Sequence, residues 1–224
     1  MSRTRTAPTK KRLSSSERKQ HILREAIRFF SEEGFSGSTH ELAKKIGVTQ
    51  PLIYRYFASK EELVKEVYNS LYEGTWNREW ETILTDRARA LKDRLVEFYL
   101  SYTNIVFDRD WMRIYLFSGL RGLDLNRWWS QFVEQRILVT ICDELRHENG
   151  YEGISRLPIT PWELELLWSF QGSLFYYAMR RDIYRTKVHM EFNEFLSLSI
   201  DTLRVQYANS SKERFDKGRN EPAD

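Results

Sequence analysis

The sequence predicts an all-α chain: an N-terminal unit of three helices followed by a larger helical domain. Three observations lead there. Apolar residues recur at three- and four-residue spacing through most of the chain, the period of a helix with one buried face. No sustained alternation marks a strand, and no Asn-Gly or Asp-Gly turn joins two alternating runs into a hairpin. Three short helical segments separated by tight turns crowd into about 45 residues near the N-terminus.

Taken in order, residues 1–15 are polar and basic, with Arg3, Arg5, Lys10, Lys11 and Arg12 among them, and are expected to form a disordered tail. A first helix is expected from about Ser16 to Glu33, with Ile22, Leu23, Ala26, Ile27 and Phe30 as its apolar stripe and Gly34 as its stop. Ser38 and Glu41 form a capping box that opens a short helix to about Ile46, which Gly47 ends. Thr49 is expected to cap a third helix that ends near Ala58, with Pro51 in its first turn, where a missing N–H is tolerated. Ser59 with Glu62 is another capping box, opening a longer helix to about Trp76–Trp80. Beyond it, helices are expected from Asp86 (capped by Thr85) to about Val106, from Asp110 to about Leu120, and from Leu123 or Asp124 to about Glu148. After a loop at 149–159, Thr160, Pro161 and Glu163 supply a cap, an N1 proline and an N3 glutamate for a helix to about Met179. The last helix is expected over about Val188 to Tyr207, leaving 209–224 as a flexible polar tail.

Composition narrows the function classes. Of the 224 residues, 41% are apolar, enough for a packed core. No run reaches ~18 consecutive apolar residues, so no membrane span is expected, and the basic N-terminus lacks the apolar stretch of a secretory signal. The lone cysteine, Cys142, cannot form an internal disulfide; a buried thiol and a cytoplasmic location are expected. Charge is uneven: residues 1–70 hold 14 Lys and Arg against 8 Asp and Glu, and the rest of the chain 21 against 24. A basic N-terminal third suits a polyanionic partner.

The segment STHELAKKIGVTQPLIYRYFASKEEL, residues 38–63, has the pattern of a helix-turn-helix. In that motif one helix braces a second that enters the major groove of DNA. Ala43 is small where the helices must cross closely, and Gly47 tolerates the positive φ of the turn. Leu42, Ile46, Val48, Ile53 and Phe57 then form a small core. Burying Ile53 and Phe57 exposes the face with Gln50, Pro51, Leu52, Tyr54, Arg55 and Tyr56. Gln pairs with adenine and Arg with guanine in the major groove, and apolar side chains touch thymine methyls. The Thr39 hydroxyl, the tyrosine hydroxyls and Lys60 suit phosphates, with Thr49 at the helix start beside them. On composition alone each of these is also an ordinary surface residue.

These residues resemble the TetR (tetracycline-repressor) family of regulators. The likeness runs from about Arg18 to Val67. It includes Gly34-Phe35, Thr39, Leu42-Ala43, Ile46-Gly47-Val48, and Ile53-Tyr54-Arg55-Tyr56-Phe57 followed by Ser59-Lys60-Glu61-Glu62-Leu63. His40 and Leu42 depart mildly from the pattern. The resemblance implies a helix-turn-helix DNA-binding domain over 16–62 and a helical ligand-binding and dimerisation domain over 63–208. It implies a homodimer joined by a four-helix interface from the last two long helices, bound to double-stranded DNA at a palindromic operator. It also implies a repressor that a small-molecule effector releases by shifting the recognition helices.

All seven tryptophans fall within residues 71–208. Ligand sites are mostly apolar with a few placed polar groups. On that pattern the candidate effector-binding residues are Tyr102, Trp111, Arg113, Phe117, Trp129, Trp168, Gln171 and Tyr176. A flat apolar or aromatic effector is expected, with Arg113 available to an acidic group. The dimer stripe is expected to use Leu164, Leu167, Trp168, Gln171, Leu174 and Phe175 of one helix, and Phe192, Phe195, Leu196, Ile200 and Leu203 of the other. The four histidines have no metal-ligand spacing, and no nucleophile elbow or phosphate loop is present, so neither an enzyme nor a cofactor is expected. The rival reading within the same fold is a ligand-independent regulator or DNA-organising protein.

Overall fold

The structure is a computed structural model that describes residues 13–72, 76–122 and 125–216. The basic residues Arg3 to Arg12 lie outside it. The chain divides into two compact units, Met1–Leu71 and Tyr72–Asp224.

The first unit holds α1 (Ser15–Glu33), α2 (Thr39–Ile46), α3 (Gln50–Tyr54) and α4 (Lys60–Tyr72), with a single 3-10 turn at Gly34–Ser36. Short-range chemistry sets each start. Ser14 and Glu17 cap α1 reciprocally, as Ser38 and Glu41 cap α2. Glu62 donates its N–H to Ser59 Oγ at 3.1 Å and accepts the Ala58 N–H at 2.7 Å, so its carboxylate reaches one residue further back than the usual box. Ile22, Ala26, Phe30, Leu42, Ile53, Phe57, Leu63 and Val67 carry no exposed surface and form one core. Lys19 ties α1 to the end of that core, lying 5.4 Å over the Phe57 ring and 3.6 Å from Glu66. Leu63 and Val67 belong to this core, and the Tyr68 ring lies 5.4 Å from Phe35. The division therefore falls at Leu71 rather than at the expected residue 62.

The second unit holds α5 (Glu79–Thr85), α6 (Leu91–Val106), α7 (Arg109–Leu120), α8 (Leu125–Val133), α9 (Val139–Glu148), α10 (Pro161–Ala178) and α11 (Phe192–Ser211). One π-helical turn, Glu134–Leu138, joins α8 to α9 without a break, and others extend α10 to Ile183 and α11 to Asp216. Two ion-pair networks lie inside. Arg94 and Glu144, each nearly fully buried, pair at 2.8 Å with Arg87 alongside. Arg146 and Glu163 have no side-chain exposure; Arg146 Nε donates to Glu163 at 2.7 Å and its other nitrogens donate to the carbonyls of Leu157 and Pro158. That guanidinium anchors the 149–160 loop to α9, and Glu163 also accepts from Thr160 and Tyr207. Burial pushes the Cys142 thiol up, so it stays protonated and donates to Glu163 at 3.4 Å.

Several expected boundaries move. The helix expected to reach Trp76–Trp80 is not continuous: Asn77 Oδ1 accepts the Glu79 N–H and starts α5, while Trp76 packs edge-on against Trp80 and Phe132. Thr85 does not cap the next helix. It ends α5, its hydroxyl bonding back to Glu81, and α6 begins only at Leu91. The third helix stops at Tyr54 instead of Ala58, and Thr49, though at its N-cap position, makes no side-chain cap. The last helix starts at Phe192, because the approaching segment is held open by the Tyr177 hydroxyl, which donates to Met190 O at 2.6 Å. The start of the expected C-terminal tail is helical to Asp216, since Phe215 packs against Trp162 and Tyr151 and under the Arg146 guanidinium.

Candidate functional site

In the first unit, Gly47 adopts φ 70° and ψ 34°, the left-handed conformation that turns the chain from α2 into α3. The Val48 N–H closes back on Ala43 O at 3.0 Å. Ile53 is buried beneath α3, and Pro51, Tyr54 and Arg55 are exposed, with Gln50, Leu52 and Tyr56 partly so. Thr39 is not a free surface hydroxyl as expected. It is only 3% exposed and sits between two residues of α3. Gln50 Nε2 donates to Thr39 Oγ1 at 2.8 Å, and Thr39 Oγ1 lies 2.9 Å from the Tyr54 hydroxyl. An amide nitrogen only donates, so Thr39 accepts there, while either hydroxyl can donate in the Thr39–Tyr54 contact. Lys60 Nζ donates to Phe35 O at 2.8 Å, holding the 3-10 turn against α4 and keeping two hydrogens. Lys45 is engaged by Glu32 and lies over the Phe29 ring.

In the second unit, a cavity of about 160 Å³ opens between α6, α7, α8 and α10. Five of the eight expected ligand residues line it: Tyr102, Trp111, Trp129, Trp168 and Gln171. Phe107, Tyr115 and Phe175 also line it and were not among the expected effector-binding residues. Arg113, Phe117 and Tyr176 do not line it. On α7, Trp111 and Tyr115 stack 5.2 Å apart on the cavity side, while Arg113 lies 5.5 Å over Phe117 on another stripe of the same helix. Tyr176 is 54% exposed and carries the Arg180 guanidinium over its ring. No lining side chain is charged, so the acid-pairing role expected of Arg113 has no place in this cavity. The polar wall runs through Gln171: Tyr99 donates to Gln171 Oε1 at 3.2 Å, and Gln171 Nε2 donates to Tyr102 Oη at 3.4 Å.

The expected stripe, wide enough to serve a core and an interface together, divides between an inner and an outer side. Leu167, Gln171 and Leu174 of α10, and Leu196, Ile200 and Leu203 of α11, are buried in this unit's own core. A shallow outer groove between these helices is lined by Leu166, Ser169 and Ser173 on one side and Phe195, Leu198 and Thr202 on the other.

Residues 22–67, which span the braced turn and the recognition face, match the family of bacterial regulatory proteins described as tetR. That segment is similar to the helix-turn-helix domain of the TetR family. Over 60 residues it is 42% identical to the HTH-type transcriptional regulator AcrR of Shigella flexneri, a stretch that is 26% of this chain and spans only 28% of that protein. The TetR-type fold extends further. A tetR-family transcriptional regulator from Streptomyces coelicolor superposes with a TM-score of 0.61 at 17% identity, covering 92% of this chain and 87% of that one. The ketosteroid transcriptional regulator KstR2 of Mycobacterium tuberculosis gives 0.61 at 17% identity, covering 86% and 96%. The helix-turn-helix within the matched residues is thus the α2–α3 segment. Its most specific feature, the Thr39 bridge between Gln50 and Tyr54, carries no short-range signature, because the turn alone brings residues 11 and 15 positions apart together. Among the described residues, no helix is long and apolar enough to cross a membrane, and no group of three His, Cys, Asp or Glu could hold a metal ion.

Proposed function

We propose that this protein is a sequence-specific DNA-binding transcription regulator, a homodimeric repressor that leaves a palindromic operator when a small effector occupies the second unit. The hydrogen-bonded set Gln50–Thr39–Tyr54 on the face of α3 is the observation that carries this reading. Gln50 keeps one amide hydrogen and its carbonyl, the donor and acceptor that an adenine edge requires. Arg55 suits guanine, Pro51 and Leu52 a thymine methyl. Tyr54, Tyr56 and Lys60 suit phosphates, with Thr49 at the helix start. Thr39 takes a positioning role in place of a phosphate contact.

Selection from a pool of random duplexes, followed by gel shift across a salt series, tests the reading. A palindrome with half-sites a whole number of helical turns apart is expected. Gln50→Ala should lower discrimination at one base pair by about 1–3 kcal/mol. Thr39→Val should lower discrimination at that same pair about tenfold while leaving non-specific binding unchanged. Salt-sensitive binding without sequence preference would instead identify a DNA-organising protein.

The groove between α10 and α11 supports the dimer. Phe195, Leu198, Thr202 and Val205 follow three-four spacing on α11, and Leu198 and Val205 are 53% and 62% exposed. Leu166, Ser169 and Ser173 repeat the spacing on α10, with serines small enough for close approach. Leu198→Asp is expected to give a monomer in sedimentation and to abolish operator binding; a dimer that survives this change excludes the groove as the interface.

A further inference from the structure

We infer that the effector is an uncharged, flat molecule of one or two rings that presents a hydrogen-bond acceptor, a carbonyl oxygen or ring nitrogen, to Tyr102 and Gln171. The inference rests on reading the second unit's cavity as the effector site, and it adds the chemistry of what enters. Size sets the first limit. The cavity measures about 160 Å³, and an apolar cavity of about 150 Å³ is enough to take up benzene.

Shape and charge set the next. Trp111 and Tyr115 stack at 16° to each other, and Trp129 meets Trp111 with ring centroids 5.2 Å apart, so the walls are aromatic planes that favour a flat guest. No lining residue is ionisable in the acidic or basic sense, so an ionic guest would surrender its hydration without a counter-charge.

Hydrogen accounting sets the last. Tyr99 gives its hydrogen to Gln171 Oε1, which orients the amide so that Nε2 faces Tyr102. Tyr102 Oη accepts there, and its own hydrogen has no acceptor among the described residues. Tyr102 is 1% exposed and lines the cavity, so the missing acceptor has to arrive inside it. Gln171 lines the same wall and keeps a second amide hydrogen. Burial pushes the Tyr102 phenol well above its ordinary value, so it remains a donor across the accessible pH range. A buried donor left without an acceptor is destabilising, and a guest that supplies one gains what the empty protein lacks.

Three probes of one shape test this on the full chain by calorimetry and thermal shift: acetophenone, which has an acceptor, ethylbenzene, which has none, and benzoate, which is charged. Acetophenone is expected to bind about fivefold to tenfold tighter than ethylbenzene, and benzoate at least about a hundredfold more weakly than acetophenone. Tyr102→Phe should erase the preference for acetophenone while leaving ethylbenzene within about twofold. Gln171→Leu, a second route to the same donor wall, should cut the same preference. Benzoate binding best, ethylbenzene matching acetophenone, or Tyr102→Phe weakening both equally would overturn the inference and leave the cavity as an effector site of another chemistry. Binding of none of the three would overturn the effector reading of the cavity and this inference with it, while operator selection separately decides the DNA-binding reading.

Discussion

Glu163→Gln is expected to destabilise the second unit by about 3–5 kcal/mol and to lower its melting temperature by about 10 °C. The change leaves the Arg146 guanidinium charged and buried with carbonyl partners but no counter-ion. It also weakens the acceptor shared by Thr160, Tyr207 and Cys142, which together join the start of α10 to α9 and α11. The double variant Arg146→Met with Glu163→Gln removes both charges and is expected to recover about half of the loss. Strictly additive costs in calorimetric melts would mean that the two residues do not depend on each other.

The same carboxylate makes stability depend on pH. Burial pushes Glu163 up, but the Arg146 ion pair and the hydrogen bonds from Thr160 and Tyr207 outweigh it and bring the group from its ordinary 4.5 down to about 2. A depressed carboxyl stabilises the fold fully above its unfolded value and loses that contribution as pH falls through its folded one. Acid titration of the wild type should therefore show stability on the order of 3 kcal/mol disappearing between about pH 5 and pH 2. In Glu163→Gln that limb of the profile should be flatter. An unchanged limb would place the acid sensitivity elsewhere.

Phe57→Ala is expected to remove about 3–5 kcal/mol from the first unit, enough to unfold most of so small a domain. Phe57 has no exposed surface and follows directly on α3, with Lys19 of α1 above its ring. Loss of this core releases α3, which spans only Gln50–Tyr54 and has too few hydrogen bonds to persist alone. Operator binding should vanish in gel shift. The second unit, which has its own core, should keep its melting transition and its binding of neutral aromatic probes. DNA binding that survives in Phe57→Ala would mean that α3 does not need this core. A joint loss of both transitions would mean that the units do not fold separately.

Much of this protein was legible along the chain. Ser38 and Thr160 with their third-following glutamates started helices where expected, and Gly47 made the turn its backbone freedom allows. These signals act within four residues, so no distant partner can move them. The exposed face of α3 followed for the same reason: once Ile53 and Phe57 are buried, the helical period decides what faces out.

Tertiary contacts decided the rest. Whether Trp111 and Tyr115 or Arg113 and Phe117 would line the cavity was open, because both pairs satisfy the same four-residue spacing on α7. Whether Leu167 or Leu166 would face the groove depended on how α10 lies against α11. Residues 209–216 read as a polar tail until Phe215 met Trp162. Gln171 took its role from Tyr99, 72 residues away. Sequence alone determined the all-helical class, the capping boxes at Ser38 and Thr160 and the exposed face of α3, since those rest on neighbours along the backbone. The cavity and its donors, the buried Arg146–Glu163 pair and the Thr39 bridge were settled only in three dimensions, because each depends on a partner that folding, and not proximity in sequence, brings within hydrogen-bonding distance.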